Sequence, residues 1–200
     1  MSESLAKWDE RHRAAGGELA PPAGILRELL PLLPPGSGLD LACGTGRNAI
    51  FLAEQGWRVT ALDGSRAALE KLRVFAEGRG VATTGFVQSG PPNAQGLIEI
   101  LECDLEQGSL PVRSYNLIVC IQYLQRSLFS RLERMLRPDG MLLMETFTEA
   151  QSQFEGGPRN PAYLLESGEL RNAFPELETV FYRELRAGQG IASLLARKTR

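Results

Sequence analysis

The chain has 200 residues, 22 basic and 24 acidic, for a formal net charge of -2. That length suits one domain with enough chain to bury a real core, and the near-neutral balance recommends neither nucleic acid nor an anionic membrane as partner. Three far-apart cysteines and a single histidine argue against a disulfide framework and against a protein-built zinc site, so no metal is expected.

The opening, "MSESLAKWDERHR", has no apolar leader core, and no run approaches the roughly 18 apolar residues of a membrane span. The expectation is a cytoplasmic, reduced protein. Residues 3–14 and 22–33 read as two short helices, the second closing where Pro31, Pro34 and Pro35 cannot continue it. Strand and helix then alternate. "GLDLAC" is a strand and "RNAIFLAEQG" a helix with Gly56 at its end, and "WRVTALD" is a second strand. Ser65 suits an N-cap for a helix through Ala76 with Leu69, Leu72, Phe75 and Ala76 on one stripe. "LIEILECD" is a third strand, "YNLIVCIQYL" a fourth, "LFSRLERMLRPDG" a helix and "MLLMETF" a fifth strand. Near-continuous apolar runs such as Leu117–Ile121 and Met141–Met144 suit parallel strands covered on both faces. A helix from near Ser167 ends before Pro175. "LETVFYREL" and "IASLLARK" then flank a Gly188-Gln189-Gly190 turn, the pattern of a hairpin that ends the sheet on an antiparallel strand. The Gly78–Gly96 connection is long and glycine-rich, and reads as a surface insertion.

The stretch that carries chemistry is "LDLACGTGRNAI", residues 39–50. Its Gly44, Gly46 and Ala49 have the G-x-G-x-x-A spacing that lets backbone approach a cofactor after a first strand. Asp63, ending the second strand, is placed to accept hydrogen bonds from a ribose diol, which fits NAD and S-adenosylmethionine (SAM) equally. Asp40 points the other way from a dinucleotide, because a carboxylate beside the turn disfavours a pyrophosphate and favours an ammonium or sulfonium. Asp104 in "CDLE" can accept from an adenine amino group, and the final hairpin has no place in a simple dinucleotide fold.

Taken together, "LDLACGTGRNA", "VTALDGS", "LECDLEQGSLP" and "YNLIVCIQYL...LERMLRPDGMLLMETF" resemble, in turn, the first, second, third, and fourth and fifth motifs of the class I SAM-dependent methyltransferases. Within that family "WDERHR" and "PRNPAYLLESGELRNAF" are similar to the small-molecule tellurite-resistance and thiopurine-type group. The resemblance implies a Rossmann-like three-layer α/β sandwich. Its sheet has seven mostly parallel strands in order 3-2-1-4-5-7-6, the last antiparallel. It divides the chain into a helical extension or lid over residues 1–33 and a methyltransferase domain over 34–200. It also implies that Asp40, Ala42, Gly44 and Gly46 line the methionine end, that Asp63 with Gly64 and Ser65 takes the ribose, and that Asp104 and the Leu105 amide address adenine. Cys120 and Ile121 would offer backbone near the sulfonium. Asn116 departs from the acid that many relatives carry at the start of the fourth motif.

Methyl transfer from a sulfonium is an in-line displacement in which alignment and water exclusion matter most, so no conspicuous catalytic residue is required and none is assigned. Trp8 and His12 are candidates to close over the cofactor. Tyr123, Arg126, Phe147, Phe154 and Arg159 fall on loops at the ligand edge as substrate candidates, Arg159 for an anionic one. Arg131, Arg134 and Arg137 read as a solvated helix face rather than an RNA patch. The leading reading is a methyltransferase of a small molecule such as a thiol, a chalcogen oxyanion or a compact metabolite. An NAD-linked oxidoreductase and a non-catalytic SAM-binding module are the alternatives.

Overall fold

The computed structural model describes residues 3–14, 16–33, 35–85, 96–107 and 110–199. Pro34 and most of the Gly78–Gly96 connection lie outside the described residues. The chain divides into two compact units, Met1–Val112 and Arg113–Arg200. No described helix is long and apolar enough to cross a membrane.

In the first unit, helices α1 (Glu3–Ala14) and α2 (Gly24–Leu29) precede strand β1 (Ser37–Leu41). There follow α3 (Arg47–Glu54), β2 (Arg58–Asp63), α4 (Arg66–Gly78), β3 (Ala82–Thr84) and β4 (Leu97–Glu102). Strand order is β3-β4-β2-β1, all parallel, with Asp40 opposite Ala61 and Asp63 opposite Glu102. The apolar runs behave as parallel strands should. Leu39, Leu41, Ala61, Leu62 and Ile98 of the strands are buried, as are Ile50, Leu52, Leu69 and Leu72 of the helices. Ser65 caps α4 by accepting from the Ala68 amide at 3.2 Å.

In the second unit, β5 (Tyr115–Ile121) leads through a 3-10 turn into α5 (Phe129–Met135) and β6 (Leu136–Phe147). Two further 3-10 turns, α6 (Glu169–Asn172), β7 (Leu177–Leu185) and β8 (Ile191–Lys198) complete the unit. The order is β5-β6-β8-β7. β5 and β6 are parallel, and β8 is antiparallel to β6 and to β7. Glycine-turn hairpin β7–β8 is thus the antiparallel ending expected. Six consecutive buried residues open β8, from Ile191 to Ala196.

The fold is a mixed α/β, Rossmann-like one, mostly parallel with antiparallel last strands. The described residues contain eight strands rather than the seven expected. The extra one, β3, is a three-residue parallel partner of β4 at the outer end of the first unit's order, too short to show a period in sequence. Boundaries also move. β5 stops at Ile121 rather than Leu124, because Gln122 takes a left-handed backbone with φ 59°. β6 begins at Leu136, inside the segment expected to be helical; α5 stops at Met135, ahead of Pro138.

The β7–β8 turn is fixed by Gln151, which is buried. Its Oε1 accepts from the Gly190 amide at 2.9 Å, and its Nε2 donates to the Gly156 carbonyl at 3.2 Å. A Cβ on Gly190 would overlap the Gln151 backbone amide. Gly190→Ala is therefore expected to destabilise the protein by about 2 kcal/mol or more, read as a lowered urea midpoint at unchanged m value.

Candidate functional site

The glycine turn leaves the carboxyl end of β1 and enters α3. Three of its residues, Ala42 (φ 55°), Gly44 (φ 55°) and Gly46 (φ 83°), occupy the left-handed region. Ala42 is not glycine, so its conformation carries strain held by the surrounding structure. Gly46 could carry no side chain in any case, since a Cβ there would overlap Leu72 of α4.

Asp63 staples this turn to the next one. Its Oδ2 accepts from the Gly44 amide at 2.7 Å and its Oδ1 from the Ser65 amide at 2.8 Å. Asp40 lies beneath the first turn of α3, only 1 % exposed, with the Ala49 amide hydrogen-bonded to its carboxylate. Its Oδ2 is buried without a hydrogen-bond partner among the described residues. Burial pushes the Asp40 carboxyl up to about 7, against the lowering pull of the Ala49 amide and Arg47 and with a further upward push from Asp63. The sequence suggests a standing negative charge at Asp40; the structure makes it an acid that titrates near neutrality.

The other acid of this edge, Asp104, follows β4 and accepts from the Glu106 amide at 3.0 Å, with Leu105 buried beside it. A Cβ built on Gly64 would lie 2.7 Å from Leu5 of α1 and 3.3 Å from the Cys103 carbonyl. α1 therefore packs over the β2–α4 turn. His12 lies over the glycine turn, its Cε1 3.7 Å from the Cβ position of Gly44. Its imidazole pKa is lowered by burial and by Lys71, while Asp63 opposes the shift. Trp8, 51 % exposed, stacks on His12 with ring centroids 6.0 Å apart, and the Arg11 guanidinium lies 4.9 Å from the Trp8 ring centre. Asp40, Ala42, Gly44, Gly46, Asp63, Gly64 and Ser65 thus share one locus with Trp8 and His12.

The remaining candidates belong to the second unit. Cys120 and Ile121 are buried at the end of β5, the Cys120 thiol 3.7 Å from the Tyr123 carbonyl. The Tyr123 hydroxyl donates to Gln125. Arg126 holds Glu169 in a bidentate pair at 2.5 and 2.8 Å and donates to the carbonyls of Ala162 and Leu164. That pairing holds the Glu169 carboxyl below its usual range and raises Arg126. Arg159 donates to the carbonyls of Ser152 and Phe154 at 2.7 and 2.6 Å. Of the two arginines offered by sequence as substrate contacts, Arg159 donates to its own loop and Arg126 to a segment 36 to 43 residues further on. Phe147 ends β6 beside Gly157. Among the described residues no group of three or more His, Cys, Asp or Glu side chains is arranged to hold a metal ion.

Sequence reading missed Asp9, Gln151 and the strained backbones of Ala42 and Gln122. Asp9 stands in plain view inside "WDERHR", but nothing in the sequence says which distant amides it meets.

A methyltransferase domain model matches residues 10–181, most of the chain, and the protein belongs to that family. Among curated relatives, an uncharacterized protein of Schizosaccharomyces pombe is 27% identical over 180 residues, covering 74% of this chain and 52% of its own length. The ubiquinone biosynthesis O-methyltransferase of Rickettsia akari is 26% identical over 132 residues, covering 64% of this chain and 46% of its own length. The chain spans about half the length of these relatives. Among solved structures, TehB from Haemophilus influenzae superposes with a TM-score of 0.70 at 19% identity, over 88% of this chain and 62% of that one, a likeness of fold.

Because the folded carboxyl of Asp40 binds its proton more tightly than in an unfolded chain, Asp40 contributes stability that is lost as pH rises through the window from 3.8 to about 7. Asp40→Asn is expected to remove that contribution, read as the difference between parent and variant in urea unfolding at a series of pH values. A pH dependence identical in parent and variant would show that Asp40 makes no such contribution.

Proposed function

We propose that this protein is a SAM-dependent methyltransferase acting on a small-molecule acceptor. The observation that carries the cofactor reading is the fate of two backbone amides. In a dinucleotide site the amides of the glycine turn and of the following helix start are offered to a diphosphate. Here the Gly44 amide of that turn donates to Asp63, and the Ala49 amide in the first turn of the helix is hydrogen-bonded to Asp40. Two of these amides are taken by the protein's own carboxyl groups, so the locus is acidic and suits a ligand carrying positive charge. The orphan Oδ2 of Asp40 fits the same demand, since a buried acceptor without a partner is costly until a donor arrives.

On this reading the methionine end lies along Ala42–Gly46 above Asp40. The ribose hydroxyls reach Asp63 beside Gly64 and Ser65, and adenine lies toward Asp104 and Leu105. SAM supplies a methyl group already activated by the adjoining sulfonium charge. The chain's part is to hold the cofactor in one pose, to exclude water under α1 with Trp8 and His12, and to bring the acceptor in line. The small-molecule acceptor is supported by the O-methyltransferase of ubiquinone biosynthesis among the relatives. The NAD alternative is disfavoured by the same two amides.

Calorimetry tests the cofactor reading. SAM and S-adenosylhomocysteine (SAH) are expected to bind and NAD to give no heat, with Asp63→Ala weakening SAH by about tenfold or more through loss of charge-assisted hydrogen bonds. Binding of NAD in preference to SAH would reverse the conclusion.

A further inference from the structure

One acid in α1 is 5 % exposed on a helix whose neighbouring positions are mostly open to solvent. Asp9 Oδ1 accepts from the Ser65 hydroxyl at 2.8 Å and from the Ala67 amide at 2.9 Å, and Oδ2 pairs with Arg13 at 2.5 Å. Ala67 is the second residue of α4, so its amide has no acceptor within the helix. The Ser65 hydroxyl serves the next amide, that of Ala68. The amino end of α4 is therefore capped by two side chains, one of them brought from 56 residues away in sequence. The Ala67 amide, with Ser65 and Arg13, holds the Asp9 carboxyl below its usual range despite burial, so it is ionised at neutral pH.

The bonding continues into the candidate cofactor locus. Ser65 donates its amide to Asp63, and Asp63 takes the Gly44 amide with its other oxygen. Asp9, Ser65, Asp63 and Gly44 form one connected chain. α1 has two further ties to the same region: Lys71 Nζ donates to the His12 carbonyl, and Leu5 packs against Gly64. One helical turn after Asp9, the His12 ring stands over Gly44 with Trp8 stacked on it.

We propose that Asp9 is a positioning residue that latches α1 onto the first turn of α4 and acts through His12, which it sets against the glycine turn as the cover that retains the cofactor. This rests on the cofactor reading above. The Asp9 latch makes the cap of α4 and the placement of the cover a single interaction, so loosening one loosens the other.

Hydrogen exchange of the α1 amides, measured on the ligand-free protein, and stopped-flow release of SAH test it in three variants. Asp9→Ala is expected to lose protection in α1 while β1 and β2 keep theirs, and to release SAH about tenfold faster, the effect of losing one cap and its contacts. Asp9→Asn, whose amide oxygen can still accept both bonds, is expected to stay within about threefold of the parent in release. Asp9→Glu keeps charge and acceptors on a longer arm, so α1 stays protected while His12 is displaced and SAH leaves faster. Unchanged α1 protection in Asp9→Ala overturns the latch, as does Asp9→Asn behaving like Asp9→Ala. If Asp9→Ala does not fold, Asp9→Glu decides, and an unchanged release rate overturns the proposal. A parent protein that binds no SAH is a failure of the cofactor reading, and the α1 exchange data still decide the latch.

Discussion

Where a parallel strand turns into a helix, several backbone amides point the same way with no carbonyl to receive them. What fills that demand shapes everything at this edge of the first unit. Asp63 takes one amide from each of two successive turns, and Asp40 takes one from the start of α3. The left-handed backbone at Ala42 and Gly44 is held in place by that arrangement, since the Gly44 amide must face Asp63 for the bond to form. Ser65 is fixed by the same carboxylate, and through its hydroxyl the position of α1 is fixed in turn.

The arrangement has an electrostatic cost that points to its use. Asp40 is buried with one oxygen unpartnered, and burial rather than any neighbour dominates its raised pKa. A fold selected for stability alone would favour asparagine or an apolar residue there. A cationic ligand above the turn would relieve the cost, drawing the carboxyl toward its ionised form. The glycine turn thus differs from a phosphate cradle in sign, although the two share a glycine spacing. His12, with its own pKa lowered by burial, covers this locus without adding a firm positive charge.

Much of this was legible in sequence. The turn at 42–46, the acids at the ends of three strands, the Ser65 cap and the closing hairpin all announce themselves through local pattern, because strand ends, caps and tight turns are local events. β3 escaped because three residues cannot show a period, and the start of β6 because "RMLRPDG" reads as the tail of a helix. The residues that escaped at the site did so for another reason. Asp9 meets amides 56 and 58 positions away, and Arg126 meets Glu169 at a separation of 43. No spacing rule reaches so far. An exposed-looking arginine on a loop reads equally as a substrate contact or an internal clamp until its carbonyl partners are seen. The protonation of Asp40 was hidden for the same cause, since burial is a property of the folded chain.

The most direct test of the acidic locus is the proton balance of SAM binding, measured by calorimetry in buffers of different ionisation enthalpy between roughly pH 6 and 7.5. If Asp40 faces a positively charged ligand, binding releases a fraction of a proton, affinity rises with pH across that window, and Asp40→Asn abolishes both. Binding that takes up protons, or that is indifferent to pH in the parent protein, would contradict the account.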